Sequence, residues 1–161
     1  MSRSANQIET LKENDQWVCW GYYCRDRQNC GIELAADADS CPECGEDKTK
    51  PPVAPTDTRR YAKSNDTSTW GSYEEAVAYH ERDDTHTEGV GYMLSKQGVI
   101  VGLDLDGCRH PETGEIEPWA EEVIEQADSY TEVSPSGTGL HIFAVGILPD
   151  GRNVQKQDRT L

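Results

Sequence analysis

Asp104 and Asp106 close the apolar run Gly98-Val99-Ile100-Val101-Gly102-Leu103, which sets them apart from acid pairs with the same spacing in polar context, such as Asp37/Asp39 and Glu115/Glu117. On a strand, residues i and i+2 share a face. Both carboxylates are therefore expected to project together while Leu103 and Leu105 face the core. Two like charges held that close repel unless a cation neutralises them. Oxygen donors of this kind suit Mg²⁺ or Mn²⁺ rather than Zn²⁺. The plainer alternative is a pair of solvated charges at the end of a strand.

Downstream stands Ser134-Pro135-Ser136-Gly137-Thr138-Gly139-Leu140-His141. Its glycines and hydroxyls describe a turn whose backbone N–H groups can cradle phosphate oxygens. His141, at the start of the next strand, is placed to bond the same phosphate. Ser136, Gly137, Gly139 and His141 are thus the candidate phosphate ligands. A Gly-rich turn is also an ordinary hairpin, and a lone strand histidine is commonly a packed or surface residue. The carboxylates upstream are what give this turn weight.

A third constellation is Cys24-x5-Cys30-x10-Cys41-x2-Cys44-Gly45. Two thiolates three residues apart, followed by a glycine that permits a tight turn, are the signature of a zinc knuckle. A structural, tetrahedral Zn²⁺ on Cys24, Cys30, Cys41 and Cys44 is the reading preferred over free thiols. The Cys24–Cys30 half has looser spacing, so Cys19 remains an alternative to Cys24. No base or open position nearby argues for catalytic zinc, and Cys108 reads as a filler residue.

Charge gives the fourth signal. The chain has 30 acidic residues against 15 Lys and Arg, a net charge of −15, with only six lysines. Ordinary nucleic-acid binders are basic, because phosphate neutralisation supplies most of their affinity. An acid-rich, lysine-poor surface suits very high salt, where counterion release contributes little, so the acidity does not exclude DNA. Against this background Lys48, Lys50, Arg59, Arg60 and Lys63 face Asp57 alone, making residues 48–65 net +4. They are either a solvated loop or a contact to phosphates.

These residues need elements to hold them. At 161 residues the chain is long enough for one domain and too short for two full ones. A helix is expected at 5–14, a strand at 17–23, a cysteine-bearing loop to Gly45 and a Lys/Pro/Thr-rich segment to Trp70. Ser72 and Glu75 form a capping box ahead of the helix AVAYHER. Strands at 89–94 and 98–105 flank the turn Ser95-Lys96-Gln97. Pro118 suits the first position of a helix, PWAEEVIEQA. Strands at 129–133 and 140–146 flank the SPSGTG turn. The order predicts an α/β (α+β) sandwich with a largely antiparallel sheet. No apolar run approaches the ~20 residues of a membrane span, and MSRSANQIETLKEN lacks the apolar stretch of a secretory signal. Six cysteines without such a signal fit a reducing cytoplasm.

Taken together, WVCW, KTKPP, TWGSYEEA, GVGYML, VGLDLDGCR, PWA and YTEVSPSGTGLHIFAVG resemble the primase-polymerase branch of the archaeo-eukaryotic primase superfamily, from about Trp17 to Arg152. The resemblance implies an RRM-like catalytic core over 1–161, with residues 24–45 as a zinc-binding insertion. It implies that Asp104 and Asp106 are the metal-binding DxD motif and that Gly139-Leu140-His141 is the small-x-His motif holding nucleotide phosphates. The implied activity is template-directed nucleotidyl transfer by a two-metal mechanism in replication of a phage- or plasmid-like element. NTP or dNTP and a single-stranded DNA template are the implied partners, with a replicative helicase as a further candidate. The composition adds a halophilic archaeon, or its mobile element, as the expected source.

One feature departs from the resemblance. The family places a third carboxylate on a strand downstream of small-x-His, whereas here GILPDGRNVQKQDRTL offers only Asp150 in a turn and Asp158 in a polar tail. The chain is accordingly expected to be C-terminally incomplete, or a degraded copy that binds nucleotide or DNA without turnover. A zinc-ribbon adaptor for a protein partner is the remaining rival. It leaves Asp104, Asp106 and the SPSGTGLH turn without a role.

Overall fold

The aromatic run that begins at Trp17 is the spine of the first of two units into which the chain folds, Met1–Ser95 and Lys96–Leu161. A computed structural model describes residues 3–56, 61–95 and 98–146. In the first unit, α1 (Arg3–Lys12) leads to β1 (Trp17–Trp20), β2 (Tyr23–Cys24), β3 (Lys48–Thr49) and β4 (Pro52–Val53), then α2 (Tyr73–His80) and β5 (Gly89–Tyr92). β1 is central, antiparallel to β4 on one side and β5 on the other, with Trp17 opposite Tyr92 and Trp20 opposite Gly89.

Both faces of β1 are used. Trp17 meets the rings of Tyr73 and Tyr92 edge-on at 4.8 and 5.3 Å, and its indole N–H donates to Leu11 O at 3.1 Å. Edge-on pairs of this kind contribute about 0.5–1.5 kcal/mol each beyond burial. Cys19, on the same face, is fully buried and its Sγ lies 3.2 Å from Ala76 O of α2. Val18 points the other way, into a cluster with Ala54, Ala62 and Trp70. The capping box forms as expected: Ser72 N–H donates to Glu75 Oε2 at 2.8 Å, and Glu75 N–H to Ser72 Oγ at 3.1 Å.

The strand expected over 17–23 is broken. After Trp20 the chain changes partner, and β2 pairs with β3 in a separate ribbon, Cys24 opposite Lys48. The described strands therefore form three antiparallel sheets rather than one.

The second unit holds β6 (Ile100–Leu105), α3 (Pro118–Ala127), β7 (Tyr130–Val133) and β8 (Leu140–Val145), in sheet order β6-β8-β7. Pro118 opens α3, where its missing N–H costs nothing. Trp119, Val123, Ile124 and Ala127 of α3 pack on Leu105, Leu140 and Ile142, one face of the sheet. Ile142, fully buried on the central strand, contributes about 1.5–3 kcal/mol by leaving water. Leu103 departs from expectation: it is 38% exposed while Leu105 is 9% exposed. Both point to the α3 side of the same edge strand, but Leu103 lies outside the cluster that α3 covers.

Candidate functional site

The sheet face away from α3 collects the polar side chains. Asp104 on β6 is opposite His141 on β8, which is opposite Glu132 on β7, so the three side chains line up in one row across three strands. His141 Nε2 lies 3.7 Å from Asp104 Oδ1, and its Nδ1 lies 3.3 Å from Glu132 Oε1. Tyr130 donates its hydroxyl to the other Glu132 oxygen at 3.1 Å. Phe143 meets the His141 ring edge-on at 6.5 Å. Glu132 thus holds the imidazole from one side while Asp104 stands beyond hydrogen-bonding distance on the other. The ring is the least exposed of the row, at 29% against 67% for Asp104 and 41% for Glu132.

Asp106 is not on the strand. β6 ends at Leu105, and Asp106 begins the turn with Gly107, exposed to solvent. Strand alternation therefore does not orient its carboxylate, because extended pairing stops one residue earlier. The SPSGTG turn packs against the Asp106 backbone. A Cβ on Gly139 would stand 2.8 Å from Leu105 O, 3.1 Å from Ser134 Oγ and 3.6 Å from the Asp106 Cα. Only glycine permits that approach.

The turn itself is tightly closed. Ser134 Oγ meets Ser136 Oγ at 2.8 Å, and Ser136 Oγ meets Thr138 Oγ1 at 3.0 Å. Gly137 N–H donates to Ser134 O at 2.9 Å and Gly139 N–H to Ser134 Oγ at 3.2 Å. These N–H groups are engaged within the turn, so an entering phosphate would have to exchange with those partners. Arg109 fastens the turn from outside, its Nη1 donating to Gly137 O at 2.8 Å and its backbone N–H to Thr138 O at 3.0 Å.

Sequence reasoning missed Glu132 and Arg109. For Glu132 a signal existed: it lies two residues before Ser134 on a predicted strand, in phase with Tyr130. Its register against His141 was not legible. A concavity of about 590 Å³ lies beside this site, lined by residues such as Arg109, Ile116, Pro118 and Glu121, but Asp104, Asp106 and His141 do not line it. The candidate site is instead the row of Asp104, His141 and Glu132 on the sheet face.

The first unit gathers the cysteines. Cys24, Cys30, Cys41 and Cys44 bring their sulfurs within 4.8 Å of one another, the one group of three or more such ligands among the described residues. Cys24 and Cys44 sulfurs are 3.3 Å apart, those of Cys30 and Cys41 3.5 Å. A tetrahedron with Zn–S bonds of about 2.3 Å has edges of about 3.8 Å, so the donor set fits a zinc knuckle. Gly31 and Gly45 each follow a cysteine with φ of +60° and +77°, the left-handed backbone that closes each half. Burial raises the Cys24 thiol to about 12. Burial also opposes ionisation of Cys41, but the backbone N–H groups of Cys44 and Glu43 and the neighbouring thiols outweigh it and hold Cys41 at about 7. Cys19 stands apart, raised to about 11 by burial. Cys108 is buried against Leu105 O.

Of the basic stretch, Lys48 lies on β3, Lys50 just beyond it, and Lys63 is exposed in a separate turn bridged to Asp66. Arg59 and Arg60 lie outside the described residues, as do Asp150 and Asp158. No described helix is long and apolar enough to cross a membrane.

A row of acid, histidine and acid thus stands beside a Gly-rich turn, and the sequence that builds it is similar to that of a known protein. The chain is 37% identical over 102 residues to the DNA primase-polymerase of Nitratiruptor phage NrS-1, over 63% of this chain and 14% of the phage protein. The chain thus spans a small part of the length of the relative it matches. No protein-family model matches it.

Proposed function

We propose that this chain is a primase-polymerase-like catalytic domain for template-directed nucleotidyl transfer in replication of a phage- or plasmid-like element. The observation that carries the reading is the register that sets Asp104 against His141 at the end of β6, next to the SPSGTG turn. The likeness to a phage DNA primase-polymerase supports it. We take residues 1–161 as one RRM-like domain and 24–45 as its zinc-binding insertion. The acid-rich composition favours a halophilic host.

In this reading Asp104 and Asp106 hold Mg²⁺ or Mn²⁺. Their carboxylates are exposed, oxygen-only donors, and Mg²⁺ commonly completes its shell with substrate phosphates and water rather than with protein groups alone. When bound, divalent ions activate the 3′-hydroxyl and stabilise the leaving pyrophosphate. His141 binds the nucleotide phosphates, with Glu132 and Phe143 holding the ring in place. Ser136, Gly137 and Gly139 shape the phosphate side of the site. Glu132 orients His141 rather than holding the ion, because the histidine stands between it and Asp104. The partners are NTP or dNTP and a single-stranded template, with a helicase as a further candidate.

Calorimetric titration of NTP and dNTP with and without Mg²⁺ tests this. Metal-dependent binding that disappears in Asp104→Asn and weakens in His141→Ala is expected. Nucleotide binding indifferent to both substitutions would refute the reading.

A further inference from the structure

At the zinc-knuckle end of the first unit, two lysines lie against aromatic rings. Lys48 Nζ is 4.5 Å from the Tyr22 ring centroid. Lys50 Nζ is 5.3 Å from Tyr22 and 5.8 Å from Trp20. The two rings meet edge-on at 5.8 Å, and both are half-buried. Neither ammonium has a carboxylate partner among the described residues, although the chain has 30 acidic residues. Lys48 uses one donor on Ala36 O at 2.6 Å, which leaves two of its three for a ligand.

Trp20 is held as a platform. It is paired with Gly89 on one side and Pro52 on the other. A Cβ on Gly89 would come within 3.1 Å of Trp20 Nε1, 3.5 Å of Cε2 and 3.6 Å of Cζ2. One side of the indole therefore rests on a strand with no side chain there, and Lys50 lies over the ring. Tyr22 and Lys48 are placed by the knuckle, because Cys24 is itself opposite Lys48 in the β2–β3 ribbon.

We infer that Trp20, Tyr22, Lys48 and Lys50 form a binding surface for single-stranded nucleic acid, a role that rests on the template-directed reading above. A base stacks on Trp20 in the place of the Lys50 ammonium, and Lys48 and Lys50 engage the phosphates on either side. Aromatic rings interleaved with unpaired cations are the chemistry that single strands select, since stacking tolerates any base and phosphates supply the charge. Duplex DNA offers no free base face.

The test is fluorescence anisotropy of a labelled oligodeoxythymidylate with the zinc-loaded full chain, over a range of salt. The wild type is expected to bind the single strand in preference to a duplex of the same length. Trp20→Leu should bind roughly tenfold more weakly. Lys48→Ala/Lys50→Ala, two surface changes that keep the rings, should weaken binding as much. The same double variant should flatten the salt slope by about 1.4, at about 0.7 for each phosphate that is no longer neutralised. A wild type that does not bind, a double variant that binds unchanged, or a duplex bound as well as the single strand would each overturn the inference. Nucleotide titration separates the two proposals. Oligonucleotide binding without metal-dependent nucleotide binding leaves this surface standing and removes the reading of the β6-β8-β7 face. The reverse pattern removes only this one.

Discussion

Four sulfurs in the first unit lie within 4.8 Å of one another, whereas the acids in the second unit stand apart on an exposed face, Asp104 at 67% exposure and Glu132 beyond His141. Around the cysteines the protein supplies every donor, and hydrogen-bonded turns fix each half. Cys41 N–H donates to Glu46 O and Gly45 N–H to Cys41 O, both at 2.8 Å. Around Asp104 it supplies few donors and a well-held histidine. On the proposed reading, the contrast is that between a zinc ion that stays and a divalent ion that arrives with its substrate. A structural site closes its coordination shell, while a catalytic site leaves positions for phosphate and water.

The sharpest way to break that contrast is Cys41→Ser. Structural zinc carries about 10–16 kcal/mol of apparent binding free energy, so losing one thiolate should strip the metal and expose residues 24–48 to rapid hydrogen exchange. Amides of the β6-β8-β7 sheet should keep their protection, and Cys19→Ser should keep the zinc. Elemental analysis with exchange mass spectrometry measures both. Full zinc retention in Cys41→Ser would mean that the four thiols are not the ligand set.

A smaller effect is expected at Gly139. Gly139→Ala places a methyl 2.8 Å from Leu105 O, a backbone atom that cannot swing aside. Denaturant unfolding should show a loss of about 1–3 kcal/mol, with nucleotide binding reduced because the turn is pushed from Asp106. Unchanged stability would show that the turn is not packed as described.

The smallest is Glu132→Gln, which keeps a hydrogen-bond acceptor for His141 but removes its charge. Because the pair is partly solvated, nucleotide affinity should fall only about two- to threefold. A loss of a hundredfold or more would make Glu132 a direct ligand, and the second site would then be more closed than one left open for substrate.

Local signals were legible in the chain, and pairings across the fold were not. The Ser72–Glu75 capping box and Pro118 at the head of α3 involve neighbours within a turn, and both formed as expected. The cysteine spacing indicated the cluster because its tighter half is local. Alternation along β6 placed Asp104, but could not tell that the strand ends before Asp106, or that Leu103 lies at an edge α3 does not cover. Glu132 and Arg109 gain their meaning only from β7–β8 register and from a hydrogen bond reaching 28 residues along the chain. Such pairings depend on how elements pack, which periodicity does not encode.

Manganese line broadening tests the central claim most directly, because a chain of net charge −15 offers many weak sites for a divalent ion. Substoichiometric Mn²⁺ would be added to ¹⁵N-labelled, zinc-loaded protein with nucleotide present, and amide signals followed by NMR. Broadening confined to residues around Asp104, Asp106 and Gly139–His141, and abolished by Asp104→Asn, is the result expected. Broadening spread over the acidic surface, with the end of β6 no more affected than Asp37/Asp39, would contradict a divalent-ion site at Asp104 and Asp106.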